Sequence, residues 1–189
     1  MIKIGILGGI GSGKSYVAKC FGYPVFNADQ EVSKLYKKDK RTYNKLKKIL
    51  PKHFQSFPIE KAEVSNAILA NKSNLSKIVK IIHLEIRKKL NNFLKKNQNK
   101  KFVILDIPLL LENKLNKKED ILIFVQSKKI EISKRLKKRN NFNQKLFNKF
   151  KNIQLPLDYK RKKSQFIIKN NFTKKHVMMN VRNILNKIM

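Results

Sequence analysis

The stretch Gly8-Gly9-Ile10-Gly11-Ser12-Gly13-Lys14-Ser15 puts Gly8, Gly13, Lys14 and Ser15 at the fixed positions of G-x-x-x-x-G-K-[ST]. A loop that turns its N–H groups inward around a phosphate needs positive φ and close backbone approach, both obstructed by a Cβ. The helix expected to begin near Lys14 adds the partial positive charge of its N-terminus. Lys14 is expected to bridge β- and γ-phosphates, and the Ser15 hydroxyl to hold Mg²⁺. All 6 glycines lie between residues 5 and 22, and elsewhere turns use Asn or Lys. Glycine is therefore expected here because nothing else fits around a triphosphate.

Only 12 residues are acidic, so each acid near a strand end is informative. Asp29 follows Phe26-Asn27-Ala28. Strand C-termini of open α/β sheets face the ligand crevice, where a carboxylate can accept or orient the proton of an attacking hydroxyl. Asp29 can equally cap a helix running from Gln30. Asp106 ends Phe102-Val103-Ile104-Leu105-Asp106, the usual place of the acid that holds Mg²⁺ through water. Glu112, in Pro108-Leu109-Leu110-Leu111-Glu112-Asn113, reads either as a site acid or as a solvated loop acid. Arg135 and Arg139 are spaced i, i+4. Their planar guanidinium groups suit phosphate oxygens, the alternative being a solvated helix face.

These residues need a scaffold that gathers strand ends. Short apolar runs predict strands at Ile2–Leu7, Pro24–Asn27, Phe102–Ile107, Ile121–Gln126 and Phe166–Lys169. Helical spacing predicts Val17–Phe21, one or two helices in Glu31–Leu50, then Ile59–Ala70, Leu75–Leu94, Ile130–Arg139 and Val177–Ile188. The polar segment Asn140–Ile153 reads as a mobile helical flap. Strand and helix alternate, so the expected fold is α/β with a mainly five-stranded parallel sheet in a three-layer core. The stretch between the second and third strands exceeds one crossover and predicts a helical insertion.

The 189 residues suffice for one such domain. Lys+Arg is 45 against 12 acids, a formal net charge of +33. That balance suits a nucleic-acid binder. It also suits a compositional background rich in Lys, Asn and Ile, and the lysines are spread along the chain rather than gathered in a stripe. Cys20 is the single cysteine, so no internal disulfide forms, and it is expected to pack as a small core residue. No signal peptide or membrane span is apparent, so a cytoplasmic location is expected. A guanine-reading Asn/Thr-Lys-x-Asp segment is also missing, and a short chain with a polar flap favours a kinase over a motor.

Taken together, the chain resembles dephospho-coenzyme A kinases over nearly its whole length. The resemblance rests on Gly8–Ser15, on Asn27-Ala28-Asp29 as a variant Asp-Ala-Asp segment, and on His83 at the place of a His-Pro pair. It rests further on Pro108–Asn113, Arg135 with Arg139, Gln154-Leu155-Pro156-Leu157 with Lys160-Arg161, and Ile168–Asn171. It implies a P-loop core (residues 1–30, 100–139 and 156–189), a substrate-binding insertion (about 31–99) and a lid (about 140–155). The implied reaction is ATP- and Mg²⁺-dependent phosphorylation of the ribose 3′-hydroxyl of dephospho-CoA.

The resemblance implies Asp29, Lys14 and Arg139 as catalytic residues. Gly8, Gly9, Ile10, Gly11, Ser12, Gly13, Lys14, Ser15, Tyr16, Arg135 and Arg139 would hold ATP. Asp29, His83, Pro108, Leu109 and Glu112 would meet the acceptor, and Ser15 and Asp106 the metal. The expected partner is a small molecule, with no obligate nucleic acid and no membrane. A monomer is expected, an oligomer staying open. Asn27 replaces an acid, Leu84 a proline and Tyr16 a threonine, although the Tyr16 backbone N–H can still serve the α-phosphate. The lid lacks an additional arginine. Two other readings stand beside this one: a different small-metabolite or nucleotide kinase on the same core, and a basic nucleic-acid-binding P-loop protein.

Overall fold

A computed structural model describes residues 1–138 and 142–189. In chain order the elements are β1 (Ile2–Gly8), α1 (Lys14–Cys20), β2 (Val25–Asn27), α2 (Ala28–Lys38), α3 (Lys40–Ile49), α4 (Lys61–Ala70) and α5 (Lys72–Lys96). There follow β3 (Phe102–Asp106), β4 (Ile121–Gln126), α6 (Lys129–Lys137), α7 (Gln144–Asn152), α8 (Leu157–Lys162), β5 (Phe166–Lys169) and α9 (Lys174–Ile188). The chain separates into two compact units. The first holds Met1–Asn27, Asn97–Asn143 and Lys149–Met189, the second Ala28–Lys96 and Gln144–Asn148.

The first unit carries a parallel sheet in the order β2-β3-β1-β4-β5. Parallel strands are buried on both faces, which is why each reads as a near-continuous apolar run. Ile4 and Ile6, Phe102 and Ile104, Ile123 and Val125, and Ile168 alternate onto one face. There they form a buried cluster with Val17, Ala18 and Phe21 of α1 and Val177, Val181 and Ile184 of α9. Val103, Leu105, Leu122 and Phe124 alternate with these residues and are buried as well. Each such side chain contributes about 1.5–3 kcal/mol by its burial. Asp120 pins the start of β4, pairing with Lys3 at 2.8 Å and accepting from the Lys117 N–H at 2.8 Å. The shared strand direction leaves the ends of β1, β2 and β3 at one edge, with Asn27 in register with Asp106.

The second unit is helical. The segment expected to hold one or two helices holds two, divided at Asp39. Its carboxylate accepts from the N–H groups of Arg41 at 3.0 Å and Thr42 at 3.4 Å, and from the Thr42 hydroxyl at 2.8 Å, capping α3. Partial burial would raise its pKa, but these hydrogen bonds and the Arg41 charge outweigh it and hold the carboxyl below its ordinary range. Glu60 and Glu63 close a capping box on α4. Leu75, Ile78, Ile82, Ile86 and Leu90 form the buried stripe of α5, which packs against α2, α3 and α4. Glu85 pairs with Lys45 at 2.7 Å and Lys88 at 3.4 Å. Among the described residues, no helix is long and apolar enough to cross a membrane.

Candidate active site

β1 ends in the glycine loop, and the loop turns at glycines. Gly8, Gly11 and Gly13 have φ of 145°, 82° and 89°. A Cβ at Gly8 would stand 2.7 Å from the Val125 carbonyl oxygen and 2.8 Å from Ser12 Oγ. Gly13 is the N-cap of α1, and a Cβ there would overlap Nδ2 of Asn170. Lys14 Nζ folds back over the loop and donates to the Gly9 carbonyl at 2.8 Å. The N–H groups of Gly11, Gly13 and Ser15 have no hydrogen-bond acceptor among the described residues. The buried Ser12 Oγ is also without a hydrogen-bond partner among the described residues. Open amides at a helix N-terminus, beside a lysine, fit the phosphates of a nucleotide. Ser15 and Tyr16 are exposed on the first turn of α1. The Tyr16 N–H donates to the Gly13 carbonyl at 3.1 Å, so it is already engaged within the helix.

Two residues that the sequence leaves without a role anchor this loop: Ser127, and Asn170 of the Ile168–Asn171 stretch. Ser127 Oγ and Asn170 Nδ2 each donate to the Ser12 carbonyl at 2.9 Å. Asn170 is 4% exposed, and its Oδ1 accepts from the Phe172 N–H at 2.8 Å. Phe172 has φ 62°, and its ring carries the Arg135 guanidinium at 4.4 Å, a cation–π arrangement. Arg135 belongs to α6, which ends at Lys137 with Lys138 as its C-cap. Arg139 lies outside the described residues.

Asp106 closes β3 and is 2% exposed, and Asn27 Nδ2 donates to its Oδ2. Among the described residues no group of three His, Cys, Asp or Glu side chains could hold a metal ion. The Ser15 hydroxyl and the Asp106 carboxylate are hard oxygen donors. They suit a Mg²⁺ ion that takes its remaining oxygens from phosphates and water.

Pro108 and Leu109 are half-buried in the turn that follows, and Leu110 beneath them is buried. Glu112 is no solvated loop acid. Its Oε1 pairs with Lys160 Nζ at 2.6 Å and accepts from the Leu155 N–H at 2.8 Å.

Asp29 and His83 belong to the second unit. Asp29 is not the cap of its helix but lies within the first turn of α2, where its charge suits the helix dipole. His83 sits on α5. Its partial burial, then the Arg87 charge, lowers its pKa below the ordinary 6.5. Within this unit Glu31 of α2 pairs with Lys89 of α5 at 3.5 Å.

The fold recurs in solved structures. A crystal structure from Thermus thermophilus has a TM-score of 0.80 at 23% identity, covering 100% of this chain and 98% of that one. A dephospho-CoA kinase structure from Campylobacter jejuni has a TM-score of 0.65 at 19% identity, covering 98% and 96%. At such identities the likeness establishes the fold alone, an α/β core around a parallel sheet. In sequence, a dephospho-CoA kinase of Wolbachia pipientis wMel is 35% identical, covering 98% of this chain and 97% of its own. The family model described as dephospho-CoA kinase matches residues 2–176. With that match along most of its length, the chain belongs to the dephospho-CoA kinase family.

Proposed function

We propose that this chain transfers the γ-phosphoryl group of ATP to the ribose 3′-hydroxyl of dephospho-CoA, giving CoA and ADP. The observation that carries this reading is the loop from Gly8 to Ser15, with open amides and the Lys14 ammonium inside one turn, in a chain of this family. Those amides and Lys14 bind the phosphates and stabilise charge that gathers on the transferring group. Asp29 accepts the proton of the 3′-hydroxyl. The new bond forms from the 3′-oxygen to the γ-phosphorus while the bond to the β,γ-bridging oxygen breaks, and ADP leaves.

Ser15 and Asp106 would hold Mg²⁺, which supplies charge neutralisation on the phosphates when bound. Arg135 is held in place on the Phe172 ring for the nucleotide, and Arg139 joins it as the charge-stabilising arginine. Pro108, Leu109 and Glu112 shape the acceptor side, with His83 on the helical insertion near the pantetheine arm. The remainder of the expected division, core, substrate-binding insertion and lid, belongs to the same proposal. So do a cytoplasmic location and action as a single chain on small molecules.

The test is an acceptor screen with purified protein, ATP and Mg²⁺, reading ADP. Dephospho-CoA should be phosphorylated in preference to nucleoside monophosphates, shikimate and gluconate. Preference for another acceptor refutes the substrate assignment. Salt-sensitive nucleic-acid binding without any acceptor turnover refutes the kinase reading altogether.

A further inference from the structure

Lys160 is fully buried, at 0% exposure. Besides its 2.6 Å pairing with Glu112 Oε1, its Nζ donates to the Pro108 carbonyl at 3.4 Å. Glu112 Oε2 is buried without a hydrogen-bond partner among the described residues. An ion pair of this kind is a weak source of stability, because desolvating two charges offsets their attraction, and an unpaired carboxylate oxygen adds a further cost. What the pair joins supplies another role. Pro108 and Glu112 stand in the turn just behind Asp106. Leu155 and Lys160 flank the start of α8, which packs against β1. Leu157, between them, lies on the phosphate loop, since a Cβ added to Gly9 would be 3.4 Å from its Cδ1.

We propose that Lys160 and Glu112 are positioning residues for phosphoryl transfer, their ion pair fixing α8 at once on the phosphate loop and on the turn behind Asp106. This rests on the kinase reading above. The pair itself touches neither the reacting atoms nor the loop amides. The loop has separate anchors in Ser127 and Asn170, so nucleotide binding survives loss of the pair. The relative placement of the loop and the Asp106 turn does not.

Lys160→Met leaves the Glu112 charge buried alone and should lower Tm by roughly 10 °C. The double variant Glu112→Leu/Lys160→Met removes both charges, and its Tm should return to within about 3 °C of the parent. Its kcat should nevertheless stay about 100-fold low, as expected when reacting groups are misplaced, with the Kd for ATP changed less than about threefold. Recovery of kcat together with Tm would overturn the proposal and leave the pair a packing feature.

Should the double variant not fold, Glu112→Gln with hydrogen exchange decides. Faster exchange at the Leu155–Lys160 amides with reduced kcat at constant ATP affinity supports the latch. Faster exchange with unaltered kcat overturns it. A parent protein that does not phosphorylate dephospho-CoA would instead refute the kinase reading and this assignment with it.

Discussion

Gly13→Ala adds one methyl group at the N-cap of α1, where φ is 89° and ψ is 18°. An L-residue in this left-handed region costs roughly 1–2 kcal/mol. The added Cβ also overlaps Nδ2 of Asn170, the donor to the Ser12 carbonyl. Displacing that buried amide leaves groups unpaired, at about 1–3 kcal/mol. The variant should therefore lose about 2–5 kcal/mol in all. Asn170→Ala alone loses the hydrogen bonds to Ser12 and Phe172, again about 1–3 kcal/mol. The double variant keeps the backbone penalty but has no amide left to displace. Its loss should fall short of the summed single losses by about 1–3 kcal/mol. Urea unfolding of the four proteins measures this coupling, and calorimetric titration with ATP should show Gly13→Ala binding at least about tenfold more weakly, about 1.4 kcal/mol. Additive stabilities, with Gly13→Ala unfolding and binding ATP like the parent, would refute the account of how this turn is held.

Lys14→Ala should leave the fold intact and reduce turnover by about 10³-fold, the scale of losing one preorganised donor to the transition state, as steady-state ADP release would show. Asp29→Asn should lower kcat by about 10²–10⁴-fold while the Kd for ATP stays within a few-fold, and unchanged kcat would remove Asp29 as the base. His83 gives a pH signature. Its folded pKa lies below the ordinary 6.5, so between the two values the unfolded chain binds more protons. Stability should then be fully present above about pH 6.5 and fall as the pH drops toward the folded pKa, and His83→Gln should flatten this slope in urea midpoints across that window.

Much of the scaffold was legible because parallel strands must be apolar on both faces. Ile121–Gln126 and Phe166–Lys169 coincide with β4 and β5 to the residue, and the other three strands differ only at their ends. Most helix starts were read late, α4 being the exception, expected from Ile59 and beginning at Lys61. Lys72-Ser73-Asn74 opens α5 without an apolar residue, and Asp29, open to a capping role before Gln30, is instead the second residue of α2. The short α8 escaped notice, since Leu157–Lys162 is mostly charged and too brief to show a period. Lys160 entered only as part of the Lys160-Arg161 match, with no role, because the partner that buries it, Glu112, lies in a distant turn. Ser127 carries no motif and Asn170 only a place in Ile168–Asn171, and the roles of both arise only when two strand ends meet the loop. Two glycines did not follow the phosphate argument. Gly22 has φ 73° just past the end of α1, where it helps to close the helix. Gly5 makes room for Leu110, which would stand 2.5 Å from a Cβ there.

The departures from the family pattern are absorbed locally, and each in a different way. Leu84 is 56% exposed in the middle of an unbroken α5. A proline there would lack the N–H of a helical hydrogen bond and crowd the preceding turn, so leucine keeps the buried stripe continuous past His83. Tyr16 turns its side chain outward and gives its N–H to Gly13, which ties it to the helix rather than leaving it free for phosphate. Asn27 bears most directly on chemistry. Two carboxylates about 4 Å apart repel by about 4 kcal/mol at an effective dielectric constant of 20, unless a cation lies between them. The Asn27 amide meets Asp106 with a donor instead, so the strand end is assembled without a cation. Of this pair only Asp106 then carries a carboxylate. A Mg²⁺ site proposed on Ser15 and Asp106 would then need the oxygens of a bound triphosphate, so calorimetric titration with Mg²⁺ should show binding in the presence of ATP and none in its absence.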